Sequence, residues 1–331
     1  MSEIRIDLAP VDSVSVTTLV DNYIDTLLLD QGPAKRIGLL PTSSTPYTPA
    51  PLFEEGQVSD VLLAEHGFSA MLAITSGGRQ RRVLFDTGTT PGGLVENMRR
   101  MGHSLKDIEA IVLSHGHFDH TTGMDGIVRG LGRPNLPVYL HPEAWSRRRV
   151  LFPGREPFEL PTPSKSAILG AGFEIVEEKQ PSFLFGRSLL ITGEVDRTTV
   201  FEKGMPLFHQ AKRDGEWEPD PLILDDQAAI VNVSGKGLVV VTGCGHAGIV
   251  NIVRYAQKLT GVERIYAVIG GFHLGGPLFE PIIAPVCDAL AEINPQVIVP
   301  AHCTGWKAVH ALAGRFPNAF IQNSVGTCFE L

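Results

Sequence analysis

A chain of 331 residues with 43% hydrophobic and 19% charged residues has ample apolar material for a large core, which excludes disorder as its overall class. A net charge of −8 disfavours a nonspecific nucleic-acid surface and points to a small-molecule substrate. No stretch approaches the roughly 20 apolar residues that span a bilayer, Ile4 to Asp30 is too often broken by Asp for a secretory leader, and Cys244, Cys287, Cys303 and Cys328 form no CxxC pair, so we expect a soluble, cytoplasmic protein.

In chain order, Val14 to Val20 alternates β-branched residues and meets Asp21-Asn22, which predicts a strand ending in a polar turn. From Gln31 to Gly56, Pro41, Pro46, Pro49 and Pro51 predict a long loop without regular structure, of the kind that borders functional sites. Phe68 to Thr75 and Val83 to Phe85 read as strands around the Gly77-Gly78 turn, and the second runs into Asp86-Thr87-Gly88. Leu94 to Met101 has helical spacing, and Ser104 with Asp107 resembles a capping box. Ile111 to Leu113 is a short buried strand, followed by Leu136 to Leu140 as another.

Between Glu143 and Asp220 the chain carries many prolines, the cluster Arg147-Arg148-Arg149 and only short strand signals such as Ser188 to Thr192. No continuous apolar pattern gives this segment its own core, so it reads as an insertion over the site. The arginines suit a solvated helix face or a clamp on an anionic substrate. Ala228 to Val233 and Leu238 to Val241 form a clear hairpin, and the latter ends in Thr242-Gly243-Cys244-Gly245-His246. Helices over Gly248 to Leu259 and Pro281 to Ile293 alternate with strands over Ile265 to Ile269, before His273, and Val297 to Val299, before His302.

The chemistry concentrates in His115-Gly-His117-Phe-Asp119-His120, four potential ligands in six residues after a strand. In extended backbone His115, His117 and Asp119 share a face that His120 leaves, so a loop turning after Asp119 divides the four between two adjacent cations. Imidazole with carboxylate suits zinc, iron or manganese rather than magnesium or calcium. His246, His273 and His302 each follow an apolar β run as His115 does, and strand ends in one sheet can converge on a shared edge.

These residues resemble the metallo-β-lactamase superfamily: Asp86-Thr-Gly88 matches its acidic turn, His115-Gly-His-Phe-Asp-His120 its HxHxDH motif, and His302 its C-terminal histidine. Leu19-Val-Asp-Asn22, Glu65-His-Gly67, Asp225-Asp-Gln227, Thr242-Gly-Cys-Gly-His-Ala-Gly-Ile249, Gly270-Gly-Phe-His-Leu274 and His302-Cys-Thr-Gly305 are similar to the branch of metal-dependent hydrolases that includes the archaeal dihydropterin ribofuranosylaminobenzene phosphate synthases. The resemblance implies an α/β fold of αββα sandwich type over residues 1–331 as one domain, with insertions at about 31–56 and about 143–220. It departs from the common pattern at Cys244, where the bridging aspartate is usual, and at Asp225-Asp226-Gln227, where a third histidine is usual. His246 is then expected to supply that imidazole, with Cys244 or Asp226 near the bridge.

The expected site holds one cation by His115, His117 and His246 and a second by Asp119, His120 and His302, with zinc first and manganese or iron as alternatives. Two such cations lower the pKa of a shared water and polarise a substrate oxygen. Asp86 would orient a ligand histidine, and His273 would touch substrate or serve as general acid. The expected activity is hydrolysis of an ester, amide, lactone or phosphoester in a small anionic substrate. The alternative is a pterin-linked C–N bond-forming synthase, and a di-iron redox enzyme is a more distant one, since no flavin-binding module follows His302. Neither nucleic acid nor membrane is an expected partner.

Overall fold

The computed structural model describes residues 5–38 and 45–331. Among these, two mixed sheets stack face to face. The first has eight strands in the spatial order Glu174–Glu177, Pro137–Leu140, Ala110–Val112, Arg79–Phe85, Ser69–Ser76, Ser13–Val20, Cys328–Glu330 and Ala34–Lys35. The second has seven: Ser182–Leu184, Leu189–Ile191, Ala229–Val233, Gly237–Thr242, Ile265–Gly271 and Val297–Ala301, with Pro10–Val11 joined in parallel to Ala229–Val233.

Strand alternation builds the layers. Val14, Val16, Leu72, Ile74, Val83 and Phe85 point inward and meet Val231, Val239, Val241, Ile269 and Val299 of the other sheet. On the outer face of the first sheet, Met71, Leu84, Ile111 and Val138 pack on Leu94, Met98 and Ile127 of helices Gly93–Arg100 and Met124–Leu131. On the outer face of the second, Ile230, Leu238, Val240 and Val268 pack on Val253, Leu290 and Leu312 of helices Ile249–Thr260, Ile283–Ile293 and Trp306–Arg315. This is the αββα order expected from the sequence. Continuous apolar runs such as Leu238–Val241 are needed because both faces of these central strands are covered, and each fully buried side chain there contributes about 1.5–3 kcal/mol.

This topology also creates the site. Arg79–Phe85 runs parallel to Ala110–Val112, and Gly237–Thr242 runs parallel to Ile265–Gly271, which runs parallel to Val297–Ala301. Parallel neighbours end at one sheet edge, so the residues after each strand are delivered together: Asp86, the His115 loop, Cys244, His273 and His302.

Two expectations change. In the described part of the 31–56 loop, Ala34–Lys35 joins the first sheet and Tyr47–Pro49 pairs with Gln57–Ser59; Pro41 lies outside the described residues. Pro49 fits because a two-stranded ribbon leaves its missing N–H facing no partner. The segment from 143 to 220 gives edge strands to both sheets and a separate four-stranded sheet in the order Phe158–Glu159, Arg148–Val150, His209–Arg213 and Glu216–Pro219. The arginine cluster therefore opens a strand, with Arg148 and Arg149 inside it and Arg147 just before it, and is neither a helix face nor an anion clamp. Alternation buries Arg148 against Asp220 (3.0 Å) and Asp225 (2.5 Å), while Arg147 pairs with Glu159 and Arg149 lies over the Trp217 ring. Among the described residues no helix is long and apolar enough to cross a membrane.

Candidate metal centre

The turn after Ala110–Val112 carries His115, His117, Asp119 and His120, the last two in the short helix Phe118–Thr121. Gly116 must be glycine, since a Cβ there would lie 2.0 Å from the Ala144 carbonyl oxygen. Two groups of side chains converge on this turn. Ring nitrogens of His115, His117 and His246 lie within 4.8 Å of one another, and so do ligand atoms of Asp119, His120, Cys244 and His302. His115 Nε2 is 2.9 Å from His117 Nδ1, which is 3.3 Å from His246 Nε2. In the second group His120 Nε2 is 3.2 Å from Cys244 Sγ and 3.7 Å from Asp119 Oδ2, and His302 Nε2 is 3.2 Å from the same oxygen.

The His115, His120 and His302 rings are oriented through their other nitrogens, which directs the nitrogen that each turns inward. Asp86, fully buried, accepts from His120 Nδ1 (2.7 Å), from Ser114 N (2.6 Å) and from Ser114 Oγ (2.7 Å), and that hydroxyl lies 2.9 Å from His115 Nδ1. Asn22 Oδ1 lies 3.2 Å from His302 Nδ1, while Asp21 accepts from His302 N at 2.7 Å. Asp86, His273 and His302 all hold positive φ (59°, 44° and 48°), a backbone strain typical of residues fixed for function. The sequence reading took Asp21-Asn22 as a polar turn and as part of the Leu19-Asn22 stretch of the branch resemblance, without a role at the site. Their role is visible once the first strand and the His302 loop are seen to share an edge.

Burial drives the pKa values of His115, His117 and His246 well below that of free histidine, so all three are neutral Lewis bases. Burial also opposes a charge on His120, but Asp119 and Asp86 outweigh it and raise that pKa to about 9. Asp119 is held ionised against its burial by His120 and His302. Burial pushes the Cys244 thiol up. Three neutral imidazole nitrogens meeting in the interior are a costly arrangement for bare protein and a ready one for cations. Thiolate, imidazole and carboxylate together suit zinc.

The structure separates the remaining candidates. His273 stands within 4.8 Å of Cys244 and His246 in a third, overlapping group and lines a cavity of about 550 Å³ with His246, Phe201, Phe272 and Phe279. Asp226 joins none of these groups: its Oδ2 accepts from Ala247 N at 2.9 Å, and Oδ1 has no partner. Burial raises its pKa to about 6 against the Ala247 and His246 amides. The folded state then binds this proton more tightly than the unfolded chain, so the stability it contributes is complete below about pH 4 and is lost as pH rises through about 6. In chelator-treated protein, Asp226→Asn is expected to flatten that decline and to gain on the order of 3 kcal/mol at neutral pH. Urea unfolding at about pH 4 and about pH 8 measures it, and an unchanged variant curve would show that Asp226 titrates normally.

Sequence reasoning missed His209. It is buried, and its Nε2 lies 3.3 Å from His117 Nε2. No local signal marks it, since it comes from the four-stranded sheet of the 143–220 segment.

Known proteins resemble this chain in sequence and in fold. Residues 81–164 match the family described as Beta-lactamase superfamily domain. The chain is 32% identical over 269 residues to the 7,8-dihydropterin-6-methyl-4-(β-D-ribofuranosyl)-aminobenzene-5'-phosphate synthase of Methanocaldococcus jannaschii, covering 80% of this chain and 89% of that protein. It is 33% identical over 264 residues to an uncharacterized protein of the same organism, covering 80% and 92%. Its fold is similar to that of Tm1679, a metal-dependent hydrolase of the β-lactamase superfamily, with a TM-score of 0.69 and 24% identity over 96% of this chain and 99% of the other.

Proposed function

Because this chain belongs to the metallo-β-lactamase superfamily, in the branch of the M. jannaschii synthase, we propose that it is a dinuclear metal-dependent hydrolase of a small anionic substrate. The observation that carries this reading is the pair of abutting ligand groups, His115/His117/His246 and Asp119/His120/Cys244/His302. The first group would hold one zinc ion and the second another, with manganese or iron as substitutes. When bound, such cations supply Lewis acidity at the scissile ester, amide, lactone or phosphoester and a water nucleophile at neutral pH.

The chain's own residues do the rest. Asp86, Ser114 and Asn22 engage the outward nitrogens of His120, His115 and His302 and so direct the inward ones toward a bound cation. The cavity beside His246 and His273 receives the substrate body on Phe201, Phe272 and Phe279, with Lys203 at its wall as a partner for substrate charge. His273 delivers or withdraws a proton at the leaving atom.

A second reading, a C–N bond-forming synthase, is favoured by the 32% identity to a named synthase. There the same residues would bind a phosphate-bearing substrate.

Elemental analysis of protein purified without chelator, paired with esterase, lactonase and phosphodiesterase assays, tests the proposal. The expected result is about two zinc ions per chain, turnover lost with chelator and restored by zinc, and a melting temperature lowered by metal removal; saturation at a hundred times Kd is worth about 2.7 kcal/mol. Hydrolysis by protein with about one metal or none would overturn the dinuclear reading. Metal-loaded protein that hydrolyses nothing but condenses a dihydropterin carrying a leaving group on its 6-methylene carbon with the aromatic amine of a ribofuranosylaminobenzene 5'-phosphate, releasing that group, would select the synthase.

A further inference from the structure

We propose that His209 is a positioning residue that sets the tautomer of His117, making the four-stranded sheet a working part of the cation site; this rests on the metal-binding reading above. His117 turns Nδ1 toward His115 Nε2 (2.9 Å) and His246 Nε2 (3.3 Å), so Nδ1 is the nitrogen it offers a cation. Its Nε2, on the opposite side of the ring, is 3.3 Å from His209 Nε2. A neutral imidazole has one N–H and one lone pair, and two Nε2 atoms in contact share a single proton. If His209 donates that proton, His117 must carry its own on Nδ1, and the lone pair for the cation is gone. If His117 donates, Nδ1 is free. The second arrangement requires His209 to accept at Nε2 and hold its proton on Nδ1.

The surroundings of His209 permit that role. Its side chain is buried and Nδ1 has no partner, so no donor occupies Nδ1 and forces the proton onto Nε2. Its backbone is locked: His209 N donates to Pro206 O at 3.0 Å, its carbonyl accepts from Asp220 N at 2.9 Å, and it pairs with Val150 across the strand. Two residues before Val150, Arg148 holds Asp225, whose Oδ2 accepts from Gly116 N at 2.8 Å. The sheet thus grips the HxHxDH turn at the Gly116 backbone and at the His117 ring. His115, His120 and His302 have oxygen partners for their outer nitrogens; His117 is served by an imidazole.

The test compares His209→Leu and His209→Gln with the wild-type full chain, titrating zinc against a chromophoric chelator and checking fold by circular dichroism. Leu removes the acceptor and is expected to weaken zinc binding at one site by about 10–100-fold. Gln offers Oε1 to the same proton and is expected to stay within a few-fold of wild type. Leu binding zinc like wild type, or Gln losing as much as Leu, overturns the proposal. Histidine 15N NMR of zinc-loaded wild type decides without either variant: a proton on His209 Nδ1 and on His117 Nε2 supports it, and a proton on His209 Nε2 overturns it. Wild-type protein that binds no zinc would instead overturn the metal reading itself.

Discussion

Asp86→Asn is expected to leave the protein folded but to cost about 100-fold or more in activity and about 10–100-fold in zinc affinity at the second ligand group. Asp86 Oδ1 accepts from Ser114 N, while Oδ2 accepts from both Ser114 Oγ and His120 Nδ1. An amide is isosteric but has only one acceptor. If its oxygen stays on Ser114 N, its NH2 faces His120 and forces the ring into the tautomer with the proton on Nε2. That nitrogen lies 3.2 Å from Cys244 Sγ and 3.7 Å from Asp119 Oδ2, and once protonated it repels a cation. If the amide flips, its NH2 meets the Ser114 N–H in a fully buried site, and an unmade buried hydrogen bond costs about 1–3 kcal/mol. The measurement is zinc content and turnover with thermal unfolding on the same sample. Full zinc and full turnover would mean that Asp86 serves only to hold Ser114.

The second large effect is on stability. Arg148 is 2% exposed and holds Asp220 and Asp225, themselves 2% and 0% exposed. Asp220 keeps a second cation, Arg213, at 3.0 Å, but among the described residues Asp225 would retain only the Gly116 N–H. Removing one partner of a buried ion pair strands the other charge and costs about 3–5 kcal/mol, a large share of the roughly 5–15 kcal/mol that keeps a domain folded. Arg148→Ala is therefore expected to lower the urea midpoint sharply. Arg148→Met with Asp225→Asn should recover much of the loss, because the stranded charge is gone. The same pair anchors Gly116, so the single variant should also lose zinc. Arg148→Ala with wild-type stability would show that water reaches Asp225.

Most of the site was legible before the fold. His115, His117, Asp119 and His120 lie in one turn, and their crowding is unexplained without a cation; His246, His273 and His302 were visible as histidines at strand ends. What the sequence left open was which partners complete each group. Cys244 and Asp226 were equal alternatives at the bridge, and only direction separated them: Cys244 Sγ faces His120, while Asp226 faces the Ala247 amide. Asn22 stood within the branch resemblance without a role, and His209 was missed, because nothing within a few residues of either one distinguishes a residue that orients a ligand from an ordinary turn or strand residue.

By itself, then, the sequence determined what is local: the periodicity that makes the sheets and helices, the glycines that allow close turns, and the ligand types gathered in HxHxDH. The tertiary structure decided what depends on elements far apart in the chain. The parallel strand edges bring residue 86 to 120, 244 and 302, and the 143–220 segment, whose short strands have no partner until the sheets exist, places Arg148 and His209 against the metal turn. The reason is physical: short-range pattern fixes backbone conformation and chemistry, whereas orientation, burial and tautomer are set by contacts whose sequence separation no local pattern encodes.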